Sequence, residues 1–265
     1  MSAPLPSDLD AFAVRCFVEQ TGQKLPYRLL VPESPEPGVR YPMVLLLHGA
    51  GERGTDNVAQ LGNGLAALLV KNRRRFPCIA VLPQCPLGLR WVETDWSALS
   101  HPLPSEPSVP LHAALALLES LLESLPADPA RLYLLGLSMG GYGVWDAASR
   151  QPERFAAVVP ICGGAADAVA PGLCATGLPV WVFHGAQDDV VPVERSRRIV
   201  AALRGCGGKV RYTEYAEVGH DAWTRALQEP ELLPWLFGHR NKHYRPGASN
   251  MAPGSRARHT QPKAG

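Results

Sequence analysis

No apolar run in this chain approaches the ~20 residues a helix needs to cross a bilayer, so no helical membrane span is expected. Charge of one sign is missing too: 26 Lys and Arg face 24 Asp and Glu, a formal net charge of +2. That balance gives no pull toward nucleic acid, a membrane surface or acidic ligands. The opening stretch, Met1 to Asp10, has neither a basic n-region nor an apolar h-region; a cytoplasmic location is the expectation from it. Cysteine pairs with C-x-x-C spacing are absent, and residues 16, 78, 85, 162, 174 and 206 are scattered. Four of them sit in or beside apolar runs, as buried thiols in a reducing compartment do. A Cys162–Cys174 bridge is the alternative to that reading.

What is present is organised around one stretch, Arg131-Leu-Tyr-Leu-Leu-Gly-Leu-Ser-Met-Gly-Gly-Tyr-Gly-Val-Trp145. Leu132 to Leu137 is a continuous apolar run, as a strand buried on both faces requires. It passes through Gly136-Leu-Ser138-Met-Gly140 into a segment, 142–150, that reads as a helix. A serine between two glycines at a strand-to-helix turn is the pattern of a nucleophile elbow. The glycines fit so sharp a turn, because a Cβ at either position would meet the neighbouring strand or helix. The turn lifts the Ser138 hydroxyl clear of the sheet. It also leaves the Met139 N–H at a helix start, free to donate to a developing oxyanion. The bland alternative is a Gly-rich turn whose serine merely caps a helix.

Strands are expected at 12–18 and 25–31, joined near Thr21-Gly22 as an antiparallel hairpin, then at 43–48, 78–82, 132–137, 155–162, 178–184 and 210–215. Helices are expected at 61–71, 109–125, 142–150, 193–203 and near 222–237. Such alternation implies one α/β domain over about residues 8–238, with a mainly parallel, doubly wound sheet and helices on both faces. The proline-rich stretch 83–110, carrying Trp91 and Trp96, is long for a loop and is expected to be functional. From 239 to 265 the chain turns basic and polar, with six Lys or Arg from Arg240 on and no Asp or Glu. It reads as a disordered tail.

A serine hydroxyl needs a base, and a histidine base needs a carboxylate to fix its tautomer. Downstream of Ser138, an apolar strand ends in His184-Gly-Ala-Gln-Asp188-Asp189, and Glu217-Val-Gly-His220-Asp221 places a histidine before the last helix. The order serine, acid, histidine is the one such an elbow requires. Turn capping by Asp188 or Asp189, and helix entry by His220, are the structural alternatives for each residue taken alone. His48 and His184, each before a glycine at a strand end, read as supporting residues. A metal site is the rival for this cluster, but its residues lack metal-ligand spacing. A second oxyanion donor is expected from His48-Gly49-Ala50-Gly51, with the Ala50 N–H first and Gly51 the alternative.

Taken together, LLLHGAGERGTDN, VLPQCP, LLGLSMGGYGVWDAA, VFHGAQDDVVPVERSRRIV and EVGHDAWTRAL resemble bacterial α/β-hydrolases of the dienelactone-hydrolase and phospholipase/carboxylesterase branch. They are most similar to the group labelled predicted peptidases, with its feruloyl-esterase-like members, over roughly residues 12 to 238. The resemblance implies Ser138 as nucleophile, Asp188 as acid, His220 as base and Ala50 as oxyanion donor. Asp189 departs from the family, which often has proline there, and many relatives are secreted.

The 15 residues from Gly163 to Gly177 leave no room for the helical lid of lipase-like relatives. The site should be open, with Trp91 either lining a substrate pocket or packing its loop, and Trp96 packing. The expected activity is serine carboxylic-ester hydrolysis through an acyl-enzyme on a small-molecule ester, short-chain or aryl, without cofactor, nucleic-acid or membrane partner. A prolyl-oligopeptidase-like peptidase and a catalytically silent receptor on the same scaffold are the alternatives.

Overall fold

The computed structural model describes residues 7–19, 22–166, 168–245 and 258–260. An edge hairpin comes first, β1 (Ala13–Val18) antiparallel to β2 (Lys24–Leu30). Parallel strands follow: β3 (Tyr41–Leu47), β4 (Ile79–Pro83), β5 (Ala127–Leu137), β6 (Ala157–Ile161), β7 (Val180–Gly185) and β8 (Val210–Tyr215). With β9 (Arg258–Thr260) on the far edge, the order is β8-β7-β6-β5-β3-β4-β2-β1-β9. This is the doubly wound, mainly parallel sheet that the strand–helix alternation predicts.

Helices cover both faces. On one lie α2 (Val109–Ser124), α3 (Met139–Arg150), α4 (Ala170–Thr176) and α5 (Glu194–Gly205); on the other lie α1 (Leu65–Lys71), α6 (Trp223–Ala226) and α7 (Leu232–Phe237). The pleat sorts the apolar runs between them. Leu45, Leu47, Val81, Leu132 and Leu134 join the core under α2 and α3, while Val44, Leu46, Ala80, Leu82 and Leu135 join the core under α1 and α7. A strand buried on both faces needs apolar residues at every position, which is why these runs do not alternate.

Several expectations shift. The helix read over 61–71 breaks at Gly64, whose positive φ of 87° stops one helical turn before α1 starts the next. The helix read over 222–237 divides into α6 and α7 around Pro230, which supplies no N–H to the ladder. The chain from 239 to 245 is not a free tail. Tyr133 OH donates to the His239 carbonyl (2.7 Å), the Asn241 amide donates to Ala130 O (2.8 Å), and Arg240 pairs with Asp128 (3.1 Å). Most of the remaining tail, 246–257 and 261–265, lies outside the described residues.

The cysteine reading changes most. Cys174 of α4 is bonded to Cys206 at the end of α5, with Cα atoms 6.1 Å apart, and Cys162 is a buried free thiol. The expected exception, Cys162–Cys174, has the wrong partner because Cys162 directly follows β6 inside the core, whereas α4 lies against α5. A disulfide persists in an oxidising compartment, so cysteine usage gives no support to a reducing one. Among the described residues no helix is long and apolar enough to cross a membrane.

The bridge closes a loop with a sequence separation of 32 residues, so chain entropy predicts about 3–4 kcal/mol of stabilisation. The Cys174→Ser/Cys206→Ser variant should melt below wild type, and a reductant should lower the wild-type melting temperature without moving the variant. Equal melting of oxidised and reduced wild type would show that the bridge does not hold the fold.

Candidate active site

The turn between β5 and α3 puts Ser138 at φ 53° and ψ −119°, a backbone region that a side-chain-bearing residue enters only under strain. Both flanking glycines are needed. A Cβ on Gly136 would run into the Gly140 backbone, and one on Gly140 would run into the Leu47 carbonyl at the end of β3. The start of α3 is thereby pressed against β3, and the Ser138 hydroxyl stands at the carboxyl edge of the sheet, where open α/β sheets place their sites. Ser138 is 8% exposed.

Three residues from separate loops meet there. The Ser138 Oγ–H faces His220 Nε2 at 2.8 Å, and His220 Nδ1 faces Asp188 Oδ2 at 2.8 Å. This pairing fixes the tautomer: Nδ1 donates to the carboxylate and Nε2 is left to accept from the serine. Asp189, one residue on, is exposed. The acid and histidine loops can close on each other because residue 185 is glycine; any Cβ there would strike the Val218 and Gly219 carbonyls.

The Asp188 side chain is fully buried, which by itself disfavours a charge. Hydrogen bonds from His184, His220 and the Val191 N–H outweigh that burial and hold the carboxyl well below the usual carboxylate range. Oδ1 accepts from the Val190 and Val191 N–H groups at 2.9 and 2.8 Å. His184 stands behind the acid, with Nε2 3.2 Å from Oδ2 and Nδ1 2.7 Å from Ser196 Oγ. It is a supporting residue, as the sequence suggested. Cys162 Sγ shares the neighbourhood: one ligand atom each from Cys162, Asp188 and His220 lie within 4.8 Å of one another. The two latter atoms are engaged in the relay, and burial pushes the Cys162 thiol upward, toward its protonated form. That set fits a proton relay better than a cation.

On the other side of Ser138 runs the strap His48-Gly49-Ala50-Gly51 after β3. A Cβ on Gly49 would lie 3.7 Å from Ser138 Cβ and 3.1 Å from Glu52 Oε2, so strap and nucleophile are in direct apposition. Ala50 and Met139 each begin a helical turn, and first-turn amides have no intrahelical acceptor. Desolvation raises the pKa of Glu52, against the pull of the Gly49 N–H, Asn63 and its own N–H. His48 is buried and its pKa is lowered to about 4, chiefly by desolvation, so the ring is neutral at neutral pH.

Trp91 does not line a pocket. It is 0% exposed, and its Nε1–H donates to the His48 carbonyl at 3.0 Å. A proline-rich loop hides such an anchor from sequence reasoning, because only the tertiary contact reveals which way the indole faces. Trp96 packs, with the Arg90 guanidinium 4.5 Å from its ring centroid. Val92, Tyr142 and Val191 form a small buried cluster beneath Trp96, tying the long loop to α3 and the acid loop. The aromatic group that sequence reasoning missed is Trp223, whose ring meets the His220 ring edge-on at 5.5 Å. The only signal for it was its place three residues after His220 at a helix start.

A crystal structure of a thermostable esterase matches with a TM-score of 0.81 and 39% identity, over 88% of this chain and 64% of that one. The strand order, elbow and loop positions define the class: the chain has the α/β-hydrolase fold. More particularly, residues 105–231 match the model of the dienelactone hydrolase family. The matched segment contains the elbow, acid loop and histidine loop, so the likeness carried by the motifs holds where the site lies. Acyl-protein thioesterase 1 of Gibberella zeae is 30% identical over 111 residues, which are 40% of this chain and 47% of that protein. A probable carboxylesterase of Oryza sativa subsp. japonica is 28% identical over 209 residues, 71% of this chain and 85% of that protein. The chain spans about half the length of the thioesterase and less than two thirds of the esterase structure.

The strain at Ser138 has a measurable consequence. Ser138→Gly and Ser138→Ala both remove the hydroxyl, but only glycine relieves the positive φ. The glycine variant should be more stable than the alanine variant by about 1 kcal/mol in denaturant unfolding. Equal stabilities would mean the elbow holds no strain.

Proposed function

We propose that this protein is a serine carboxylic-ester hydrolase working through an acyl-enzyme on short-chain or aryl esters. The relay Ser138–His220–Asp188, with both hydrogen bonds at 2.8 Å, is the observation that carries this reading. His220 Nε2 takes the Ser138 proton as Oγ attacks the ester carbonyl, and the buried Asp188 carboxylate stabilises the imidazolium. The Met139 N–H and a strap N–H, that of Ala50 or Gly51, hold the oxyanion. His220 then gives its proton to the departing alcohol and activates water for deacylation. The esterase names of the relatives support the same class. The site-bearing chemistry needs no cofactor.

A serine-directed phosphonate should label wild type and leave Ser138→Ala unlabelled; labelling of the variant at another serine would sink the assignment. Asp188→Asn should lower kcat by up to about 10⁴-fold, and Asp189→Asn should stay close to wild type. The reverse ranking would make Asp189 the acid.

Esters should be cleaved far better than amides. An amine must be protonated as it leaves, which demands tight positioning of the leaving side. Among the described residues after β6, α4 is held down on the sheet by Ala170 and Leu173, which are buried in the core. An alcohol leaves with less help, so an open site suffices. We expect kcat/KM for an aryl ester to exceed that for the matching anilide by several orders of magnitude. Comparable rates would put a peptidase first.

A further inference from the structure

Three successive carbonyls of the strap are each gripped by a side-chain donor. Trp91 Nε1 donates to His48 O at 3.0 Å, His48 Nδ1 faces Gly49 O at 2.6 Å, and Arg53 Nε donates to Ala50 O at 2.9 Å. The His48 bond has a fixed direction. The Cys85 N–H donates to His48 Nε2 at 2.9 Å, so a neutral ring must carry its proton on Nδ1 and give it to Gly49 O.

In a trans peptide the C=O and the following N–H point opposite ways, and the described chain has no cis bonds. Fixing a carbonyl therefore aims the next amide. Trp91 aims the Gly49 N–H, His48 the Ala50 N–H and Arg53 the Gly51 N–H. The Ala50 amide is turned away from the His48 ring.

Such gripping matters because the strap holds two glycines, whose peptide planes otherwise turn at little steric cost. An oxyanion donor is worth most when its direction is set before the charge develops. We propose that Trp91, His48 and Arg53 are positioning residues that clamp the strap carbonyls: His48 and Arg53 set the direction of the Ala50 and Gly51 amides for the oxyanion, and Trp91 anchors the peptide from which both follow. The proposal rests on the ester-hydrolase reading. It assigns a role to the long proline-rich loop: Trp91 belongs to it, Cys85 begins it, and Ser108 Oγ donates to the Trp91 carbonyl at its far end (2.8 Å). The clamp makes no contact with substrate; it acts through the backbone.

The test uses Trp91→Phe, which keeps a buried ring and deletes only the donor, beside the pair Arg53→Lys and Arg53→Met. For each, kcat and KM on an aryl ester are measured per phosphonate-titrated site, together with the Ki of a trifluoromethyl ketone, which presents an oxyanion when bound. Trp91→Phe should lower kcat about 10- to 100-fold, below the full loss of one oxyanion donor. KM should stay unchanged and the ketone Ki should rise in parallel. Arg53→Met should behave likewise, while Arg53→Lys, which keeps one donor for Ala50 O, should recover most of the activity. Wild-type kcat and Ki in Trp91→Phe would overturn the clamp. So would a raised KM at constant kcat, which would put Trp91 against substrate. A loss of titrated sites with full activity per site would also overturn it, since that marks a folding role. If wild type neither hydrolyses esters nor takes the phosphonate, the ester-hydrolase reading falls and the clamp with it.

Discussion

The close approach of α3 to the end of β3 is the constraint on which the rest of the site depends. Gly140 sits where any Cβ would meet the Leu47 carbonyl. That contact lets the chain reverse from strand to helix within one residue, at the cost of a positive φ at Ser138. From it follow the position of the hydroxyl at the carboxyl edge of the sheet, the place of the Met139 amide at the start of α3 and the apposition of the strap to the nucleophile. A strained residue persists only where its surroundings over-determine it. Here β3, β6 and α3 all do so, and the Ser138 N–H is itself spent on Ile161 O (2.9 Å).

A second constraint is the buried charge of Asp188. A carboxylate removed from water needs donors on both oxygens. It finds them in two backbone amides of its own loop and in two histidines from different elements. The same hydrogen bonds that keep the acid ionised bring β7, α5 and the histidine loop into one register. Ser196 extends the chain one step further by engaging the other nitrogen of His184. Electrostatic need and loop placement are thus one network, and the hydroxyl–imidazole contact is its exposed end.

The loops around the site are anchored rather than draped. The proline-rich stretch is tied at Trp91, at the Trp96 carbonyl by Tyr142 OH (3.0 Å) and at the Pro104 carbonyl by Arg150 (2.7 Å). Proline removes backbone donors, so a loop rich in it relies on side chains from elsewhere to hold its carbonyls. That is the physical reason a segment without regular structure keeps a defined path beside a site that demands one.

Much of this was legible in the sequence. Unbroken apolar runs such as Met43 to Leu47, short and bounded by loop residues, read as strands covered on both faces. The glycines around Ser138 announce a turn that no other residue fits, and the order of Ser138, Asp188 and His220 along the chain named the residues that meet. These signals are local, and periodicity and steric need within a few residues suffice to read them. Other features were decided only by tertiary structure, because they depend on which distant segments become neighbours. The partner of Cys174 depended on α4 lying beside α5. The role of Trp91 depended on the side to which its loop folds back, and the strap of β3 offered it a carbonyl there. Residues 239–245 looked like tail by composition, yet Tyr133 and Ala130 of β5 and the loop after α3 hold His239 and Asn241 from more than 80 residues away. Composition records what a segment is made of, and only packing records what it meets.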